Sequence, residues 1–554
     1  MPTLNPFELV TEAAAKARLY AERGAAEVHY VRKMFEAGAL KLESPQAIAA
    51  MAGDIARWGE MGMISSVNAR RTPHRTAVVD DEGSISFGEM DAAVNAVANE
   101  LVSMGIKGGN GVAILARNHR WFLIANFACG KVGARTILLN TEFSGPQIAD
   151  VADREGARVL IYDEEYTDAV SRANFELGKL RAFAETPDGD ETLASVIARG
   201  STEPPPKPSK HASLIILTSG TTGTPKGANR SAPPTLAPIG GMLSHVPFKA
   251  GEVTALPAPM FHALGYLHAT IAMVLGSTLV LRRKFRPLTV AEDIEKNRAT
   301  ALVVVPVMLS RLLDALESAD RSYDLSSLKI VFVSGSQLGA ELATRATKRL
   351  GPVIYNLYGS TEIAFATIAR PKDLEINPAT VGPIVKGAKV KIFDEHGKEL
   401  PQGEVGRIFV GNFFPFQGYT GGGGKQIIDG LLSSGDMGYF DDNDLLYVTG
   451  RDDEMIVSGG ENVFPAEVED LLSGHPEVVE ATALGVDDDQ MGQRLRAFVV
   501  RQEGSDVDED AIKVYVKEHL ARYKVPREVI FLDELPRNPT GKILKRELRD
   551  IEVD

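Results

Sequence analysis

Residues 218–227 read Thr218-Ser219-Gly220-Thr221-Thr222-Gly223-Thr224-Pro225-Lys226-Gly227, directly after the apolar run 214–217. The apolar run predicts a buried strand, so the stretch itself predicts a loop at the end of that strand. Its glycines let the backbone turn tightly and approach a ligand closely. The hydroxyl groups and the ammonium of Lys226 can donate hydrogen bonds to an anion. The stretch therefore predicts a loop that binds a polyphosphate.

This loop differs from the P-loop pattern Gly-x-x-x-x-Gly-Lys-Ser/Thr. Counting from Gly220, Pro225 stands where the second glycine is required, and Gly227 follows Lys226. A surface turn rich in glycine and threonine is the alternative interpretation of such a stretch. The ten-residue string instead resembles the signature loop of the adenylate-forming superfamily, which contains acyl-CoA synthetases, non-ribosomal peptide adenylation domains and beetle luciferases.

The composition of the chain is that of a folded protein with more than one core. It has 554 residues, 44% of them hydrophobic, and a formal net charge of −14. A chain of this length divides into two or more units, and its acidic surface argues against a nucleic-acid partner. The single cysteine, Cys129, excludes an intrachain disulfide and agrees with a reducing cytosol. The apolar stretches 269–281 and 301–309 fall short of the about 20 residues that span a membrane.

Short apolar runs alternate with helical patterns along most of the chain, which predicts parallel sheets covered by helices. A helix is expected at 120–134. The segment 203–208 is rich in proline and predicts a stiff linker between two groups of strands. The expected strands are 111–115, 135–139, 159–162, 301–305, 329–333 and 353–357.

We therefore expect an α/β protein with a large N-terminal domain and a small α+β C-terminal domain. The large domain should hold helix-flanked mixed or parallel sheets and, by the resemblance, a β-barrel-like part. The expected boundaries are a helical extension at 1–60, an AMP-binding adenylation domain at 61–452, and a mobile C-terminal domain at 453–554. In the extension, helices packed on the main body are favoured over an amphipathic helix on a membrane, because the polar face is not rich in lysine.

Further motifs follow in the order that the superfamily has them, so the resemblance covers about residues 75–550. The segment 356–362 resembles the adenine and magnesium motif, with a flat tyrosine ring and a carboxylate that suits Mg²⁺. The segments 434–438 and 450–456 resemble the ribose motif and the domain junction. Besides the phosphate loop, the resemblance implies these ATP- or AMP-binding residues: Asn356, Tyr358, Gly359, Ser360, Thr361, Asp436 and Arg451.

The resemblance also implies catalytic and metal-binding roles. Lys542 lies in the segment 536–542, which resembles the terminal motif whose lysine bridges the carboxylate and the α-phosphate as charge builds. Thr218 and Glu362 are implied as magnesium ligands and, with Lys542 and His262, as catalytic residues. A solvated surface lysine is the alternative for any single lysine, and the Pro-Thr-Gly-Lys context favours catalysis.

Two stretches resemble the walls of the acyl pocket. The segment 259–265 resembles the acyl-site motif, and the segment 333–337 resembles the border between adenine and the acid. The family often has Gly-Gly-Ala in the second stretch, where this chain has Gly335-Ser336-Gln337, and all three are expected to contact the nucleotide. The expected acyl-pocket residues are His262, Gly265, Val305 and Gly335.

The second half of the reaction is implied by the junction and by the loop 458–465. Asp453 matches the family's hinge, where a short loop absorbs a backbone rotation. Val457 stands where some family members carry lysine. The residues implied near coenzyme A are Gly459, Gly460 and Glu461.

Together these features predict an acyl-CoA synthetase that uses ATP, Mg²⁺ and coenzyme A to activate a carboxylic acid through acyl-AMP. A medium- or long-chain fatty acid is expected, since the acyl motif lacks the aspartate that pairs with an amino-acid substrate. The alternatives are an aromatic-acid–CoA ligase, a ligase that acylates a carrier protein or another nucleophile, and an inactive nucleotide-binding protein. A cytoplasmic monomer or homodimer is expected, with peripheral membrane contact left open.

Overall fold

The fold is described from a computed structural model of the chain. It describes residues 23–185, 192–218, 226–230, 235–412, 416–420, 422, 424–452, 454–458, 461–488, 492–538, 541–549 and 551. These residues form helices around four sheets, which we name A to D. Sheets A, B and C belong to the large N-terminal domain, and sheet D belongs to the small C-terminal domain.

Sheet A is parallel in its interior and antiparallel at both edges. Its inner strands are apolar and buried without alternation, as expected for strands covered by helices on both faces. In order across the sheet, its strands are Ala364–Ala369, Ile354–Ser360, Ile330–Val333, Ala301–Val304, Val253–Ala255, Thr278–Val280, Thr76–Asp80 and Gly83–Ser86.

Sheet B also has a parallel interior, but its two antiparallel strands lie at one edge only. Its first strand after the predicted linker 203–208 pairs with a strand that precedes that linker. The two predicted groups of strands do lie in different sheets, 111–162 in sheet B and 301–357 in sheet A, but the strand that directly follows the linker still belongs to sheet B. In order, the strands are Phe416–Tyr419, Lys226–Arg230, Ser213–Thr218, Arg135–Leu138, Gly111–Leu115, Ala157–Tyr162 and Lys179–Arg181.

Sheets A and B contain the same four-stranded parallel unit. In each unit the spatial order is fourth, third, first, second, and the first strand leads into a helix. The sequence shows no short repeat, so this repeat is one of topology. In chain order, the unit in sheet B is Gly111–Leu115, Arg135–Leu138, Ala157–Tyr162 and Lys179–Arg181, and the unit in sheet A is Val253–Ala255, Thr278–Val280, Ala301–Val304 and Ile330–Val333.

Sheets C and D are smaller. Sheet C is antiparallel, corresponds to the expected β-barrel-like part, and consists of Ala388–Phe393, Gly406–Asn412, Leu431–Phe440, Ile427–Ile428 and Leu446–Arg451. Sheet D pairs its last strand in parallel and consists of Glu461–Val463, Ile456–Ser458, Gly492–Arg501, Val478–Asp488 and Glu528–Leu532.

The helices pack on the faces of these sheets, and several begin with a capping residue such as Ser86, whose hydroxyl accepts from Glu89 N. Two 3₁₀ turns lie at Glu164–Tyr166 and Arg522–Lys524. None of the helices in the described ranges is both long and apolar enough to cross a membrane. The helices are 23–37, Pro45–Arg71, Phe87–Ser103, Arg120–Val132, Gly145–Glu155, Leu193–Arg199, Ala237–His245, Ala263–Val274, Pro287–Asn297, Pro306–Glu317, Ala340–Leu350, Pro371–Ile376, Pro465–Ser473, Glu509–His519 and Lys545–Arg549.

The described part of the N-terminal extension packs on the large domain. Tyr30 is fully buried, and its hydroxyl donates to Lys386 O at 2.7 Å. The next helix, Pro45–Arg71, is kinked at Gly59, which adopts φ +70° close to the predicted boundary at 60. The predicted helical residues before 23 lie outside the described residues.

Candidate active site

The phosphate loop follows the carboxyl end of strand Ser213–Thr218 of sheet B. Strand Ser213–Thr218 pairs with strand Lys226–Arg230, so the backbone of Thr218 lies opposite that of Lys226. A Cβ on Gly227 would lie 2.6 Å from Thr420 Oγ1, so only glycine fits at this crossing. The predicted phosphate-loop residues Ser219, Gly220, Thr221, Thr222 and Gly223 lie outside the described residues, as does the side chain of Thr218.

Glu362 is held as an ionised carboxylate beside this loop. Its oxygens accept hydrogen bonds from Tyr419 Oη and Ser360 Oγ, each at 2.8 Å. Burial alone would raise the pKa of Glu362, but these hydrogen bonds and the charge of Lys425 outweigh it and lower that pKa. Lys226 Nζ lies 5.4 Å from the centroid of the Tyr419 ring. An ionised carboxylate that shares the neighbour Tyr419 with the loop lysine is a suitable ligand for phosphate-bound Mg²⁺.

Tyr358 and Asp436 connect the predicted adenine and ribose motifs. Tyr358 Oη donates to Asp436 Oδ2 at 2.6 Å, and strand pairing sets Asp436 opposite Arg451. Burial raises the pKa of Asp436, while the hydrogen bond from Tyr358 and the charges of Arg451 and Lys425 oppose that rise. The sequence predicted a stacking role for the Tyr358 ring, and the structure adds this hydrogen bond from its hydroxyl.

The turn between these residues requires a glycine. A Cβ on Gly359 would lie 2.0 Å from Ala364 O, closer than any side chain allows. Asn356 is buried and lies opposite Ala369 in sheet A. The turn therefore carries Ser360, Thr361 and Glu362 on a tightly packed backbone.

The residues predicted to border the adenine, 335–337, contact two different parts of the molecule. Gly335 adopts φ +103°, and a Cβ there would lie 3.2 Å from Val305 Cγ1. Ser336 and Gln337 are exposed. Gln337 Nε2 donates to Asp470 Oδ2 at 2.8 Å, on the C-terminal-domain helix Pro465–Ser473. The structure thus places Gly335 against Val305, which together with Val307 we call the acyl wall. It joins Gln337 to the C-terminal domain.

Two of the predicted acyl residues, His262 and Gly265, lie where helix Ala263–Val274 begins. His262 is the residue before that helix, and its ring lies 4.6 Å from that of Phe261. Burial lowers the pKa of His262 to about 4, so its imidazole is neutral at pH 7. Its Nε2 is buried and has no hydrogen-bond partner among the described residues. A Cβ on Gly265 would lie 2.2 Å from Pro259 O, which makes glycine necessary there.

The Lys542 loop reaches the same wall from the C-terminal domain. Gly541 adopts φ +79°, and a Cβ there would lie 2.3 Å from Val307 Cγ1 and 3.5 Å from Val305 Cγ2. Lys542 N donates to Asn538 Oδ1 at 2.9 Å, and Asn538 N donates to Lys542 O at 2.9 Å. These bonds close a turn whose Gly541 packs against Val305 and Val307 and whose next residue, Lys542, is exposed.

The hinge and the coenzyme A loop are described in part. Asp453, Gly459 and Gly460 lie outside the described residues. The backbone of Glu461 pairs with that of Ser458 in sheet D, and nothing is described of its side chain. The roles predicted for these residues remain predictions.

Two residues of the site were missed by sequence reasoning. Tyr419 holds Glu362, and Lys425 Nζ donates to Ser434 O at 2.6 Å beside the predicted ribose residue Asp436. Neither belongs to a motif with a recognisable spacing. The only local signal is their position in the glycine-rich segment 418–425 between two motifs.

Comparison with known proteins identifies the family. Residues 66–420 match the AMP-binding enzyme family, and residues 467–542 match the AMP-binding enzyme C-terminal domain. The chain belongs to the AMP-binding enzyme family. The matched regions include the phosphate loop, the acyl motif and Lys542.

Two curated relatives of this AMP-binding enzyme are CoA ligases of aromatic acids. Feruloyl-CoA synthase from Amycolatopsis sp is 34% identical over 494 residues, covering 87% of this chain and 96% of the relative. Indoleacetate–CoA ligase from Aromatoleum aromaticum is 31% identical, covering 86% of this chain and 95% of the relative. ATP-bound MatB from Rhodopseudomonas palustris superposes with a TM-score of 0.76 and 26% identity, covering 88% and 98% of the two chains.

These comparisons confirm the expected fold class and the general activity. This AMP-binding enzyme is an AMP-forming acid–CoA ligase that uses ATP, Mg²⁺ and coenzyme A. The expected fatty-acid substrate receives no support from these two relatives, whose names specify aromatic acids.

Proposed function

We propose that this enzyme activates a compact, ring-bearing hydrophobic carboxylic acid and transfers its acyl group to coenzyme A. This replaces the medium- or long-chain fatty acid expected from the sequence with the aromatic alternative. The observation that carries the proposal is a layer of rings across the helix that begins at the acyl motif.

The ring layer lies between helix Ala263–Val274 and sheet A. The rings of His268 and Phe332 are 4.2 Å apart, and the ring of Phe248 lies 5.8 Å from that of His268. His268 is buried and follows His262 by six residues, which corresponds to about 9 Å along a helix. An acyl group that extended along this helix from His262 would meet the rings after this distance, which suits an arylpropenoate, whereas a long acyl chain would have to displace the rings.

The polarity of the pocket also favours a neutral hydrophobic acyl group. In this proposal its walls would be formed by the apolar groups of Phe261, Val305 and Val307 and by the neutral imidazole of His262. The buried Nε2 of His262 can hydrogen-bond to the acid, either at its carboxylate or at a ring substituent.

In the first half-reaction, a carboxylate oxygen attacks the α-phosphorus of ATP and pyrophosphate leaves. Glu362 would hold the magnesium that binds the phosphates, and Asp436 would accept hydrogen bonds from the ribose hydroxyls. Lys542, presented beside Val305 and Val307, would stabilise charge shared between the carboxylate and the α-phosphate. The site acts mainly through positioning and electrostatics.

In the second half-reaction, the thiolate of coenzyme A attacks the acyl carbonyl carbon and AMP leaves. The C-terminal domain would rotate about Asp453, which withdraws Lys542 and brings the 458–465 loop to the acyl-adenylate. The contact between Gln337 and Asp470 belongs to the arrangement in which Lys542 reaches the acyl wall.

The test is a panel of acids read by coenzyme-A-dependent AMP formation: ferulate, cinnamate, indoleacetate, octanoate and palmitate. We expect kcat/KM to be at least about tenfold higher for the best ring-bearing acid than for palmitate, from about 1.4 kcal/mol of differential binding. A preference for palmitate would overturn the proposed substrate class. If acyl-AMP accumulates until a carrier protein is added, the acceptor is a carrier thiol instead.

A further inference from the structure

Lys425 occupies a position that the reaction needs and that no recognised motif accounts for. Its Nζ donates to Ser434 O at 2.6 Å, and the side chain is partly buried. A Cβ on Gly435 would lie 3.4 Å from Lys425 Nζ and 3.6 Å from a guanidinium nitrogen of Arg451. The ammonium therefore lies next to Arg451, directly beside the predicted ribose carboxylate Asp436.

Lys425 lies in a segment that contacts groups from two different sheets. Its charge opposes the rise that burial causes in the pKa of Asp436, on sheet C. Tyr419, six residues earlier in the same segment, donates to Glu362 Oε1 at 2.8 Å. Tyr358, which donates to Asp436, lies on the sheet A strand that leads to Glu362. Lys425 thus belongs to the segment that connects the proposed ribose site with the proposed magnesium site.

The chemistry of ATP specifies which of its groups lies between the ribose site and the magnesium site. The α-phosphate joins the ribose to the β- and γ-phosphates, so it must lie between a group that binds ribose and a group that binds the phosphate-bound metal. An ammonium has three N–H donors, and the Ser434 carbonyl takes one of them within the described contacts. Donors on Lys425 can therefore reach a phosphate oxygen.

We propose that Lys425 binds the α-phosphate of ATP and of the acyl-adenylate, as a second cation in addition to Lys542. This inference rests on the proposed roles of Glu362 and Asp436. During adenylation the carboxylate oxygen forms a bond to the α-phosphorus, the bond from phosphorus to the pyrophosphate oxygen breaks, and Lys425 keeps its protons. Its contribution is electrostatic stabilisation of the charge that gathers on the α-phosphate oxygens.

The competing explanation is that Lys425 only neutralises Asp436 and Glu362 and fastens the Ser434 turn. The two explanations differ in how they treat ligands with and without a phosphate. A phosphate-binding lysine affects AMP and leaves adenosine nearly unaffected. A lysine that only shapes the ribose site affects both ligands equally.

The experiment compares Lys425→Gln with wild type by calorimetric titration with AMP and with adenosine. Glutamine keeps a donor for the Ser434 carbonyl and removes the charge. We expect AMP affinity to fall about 10- to 100-fold, because a charge-assisted hydrogen bond is lost, while adenosine affinity changes less than about twofold. Equal changes for both ligands, or unchanged AMP affinity, would overturn the proposal.

Two further variants keep the test decisive. Lys425→Arg retains the charge, so AMP affinity should stay within about threefold of wild type. Lys391→Met is the matched control. Lys391 lies on a strand of sheet C and forms an ion pair with Glu399, so this variant should leave both affinities unchanged. If Lys425→Gln does not fold, a Lys425→Arg variant with strongly weakened AMP binding and normal adenosine binding would overturn the charge-based explanation.

Catalysis gives an independent readout. Acid-dependent exchange of pyrophosphate into ATP should fall about 100-fold in Lys425→Gln, within the range seen when one charge stabiliser is removed. Failure of the proposed function would instead appear as absence of exchange in wild type with every acid tested. Wild-type exchange rates in Lys425→Gln would refute the role of Lys425 and leave the proposed function intact.

Discussion

The repeated four-stranded units of sheets A and B end in two crevices of opposite character. In each unit a histidine immediately precedes the helix that follows the first strand: His119 in sheet B and His262 in sheet A. The residue immediately after the third strand is Asp163 in sheet B and Val305 in sheet A. The two crevices thus have a histidine at the first of these positions, but a carboxylate in sheet B and an apolar side chain in sheet A at the second.

The sheet B crevice is closed by an internal pair. His119 Nε2 lies 2.9 Å from Asp163 Oδ1, the side chain of Asp163 is fully buried, and Arg117 N donates to Asp163 Oδ2 at 2.9 Å. In sheet A the corresponding residue, Val305, has no acceptor group, and His262 Nε2 has no hydrogen-bond partner in the described chain. The two crevices therefore differ in whether a carboxylate stands at the position that follows the third strand.

The largest expected effect is a loss of catalytic rate without a loss of stability, in a variant of Lys542. Lys542→Ala should lower acid-dependent pyrophosphate exchange by about 10²–10³-fold, because a charge stabiliser of the adenylation step is lost. Its side chain is exposed, so the midpoint of thermal unfolding should not change. Exchange rates and thermal unfolding measured on the same preparation check this prediction. A variant with full exchange activity would remove Lys542 from the site.

A second buried histidine of the sheet A crevice should respond to pH. Burial lowers the pKa of His268 to about 4, so between pH 6.5 and 4 the unfolded chain binds a proton that the folded chain does not. Stability is therefore retained above pH 6.5 and lost as pH falls towards 4. In His268→Leu this loss should be smaller, by up to about 3 kcal/mol. Urea unfolding between pH 4.5 and 7 measures it, and an unchanged pH dependence contradicts it.

The sheet B crevice should respond in stability and not in catalysis. Asp163→Ala leaves Arg117 N and His119 Nε2 without their acceptor, and a buried group left unsatisfied costs about 1–3 kcal/mol. We expect a lower free energy of unfolding with unchanged KM values for the acid and for ATP. Loss of activity in a folded variant of normal stability would show that this crevice takes part in the reaction.

The smallest expected effect concerns the support of Glu362. Tyr419→Phe removes one hydrogen bond to that carboxylate and keeps the ring beside Lys226, so activity should fall about threefold to tenfold. The pKa of Glu362 should rise, which moves the acidic limb of the pH–rate profile to higher pH. Tyr447→Phe, which removes a hydrogen bond to Asp441 in sheet C, is the matched control and should leave the profile unchanged.

The strands of the parallel sheets were predictable because their residues are apolar without interruption. Gly111–Leu115 and Ala301–Val304 lie where the sequence predicted them, to within one residue. Strand pairing was not predictable, since Phe416–Tyr419 joins Lys226–Arg230 across nearly 200 residues through backbone hydrogen bonds that leave no local pattern. The linker 203–208 does lie between the two predicted groups of strands, but the pairing of the next strand, Ser213–Thr218, with sheet B was not predictable for the same reason.

The site was predictable where a motif carries its own geometry. Glu362, Asp436 and Arg451 were predicted from their motifs, and the structure brings Asp436 and Arg451 together across one strand pair. Tyr419 and Lys425 were missed because their significance lies in tertiary neighbours. The contact of Gln337 with Asp470 likewise depends on how the two domains meet, which one segment of sequence does not specify.

The central claim is that the sheet A crevice is the acyl pocket, and Val305→Asp tests it most directly. This substitution gives sheet A the residue that closes sheet B, so the new carboxylate should pair with His262 and repel the acid. Acid-dependent pyrophosphate exchange should fall by at least about 100-fold, since juxtaposed like charges cost several kcal/mol, while AMP binding stays at the wild-type level. Val305→Thr, nearly equal in volume and uncharged, should retain most activity. Activation of the same acids by Val305→Asp at wild-type rates would contradict the assignment of the pocket.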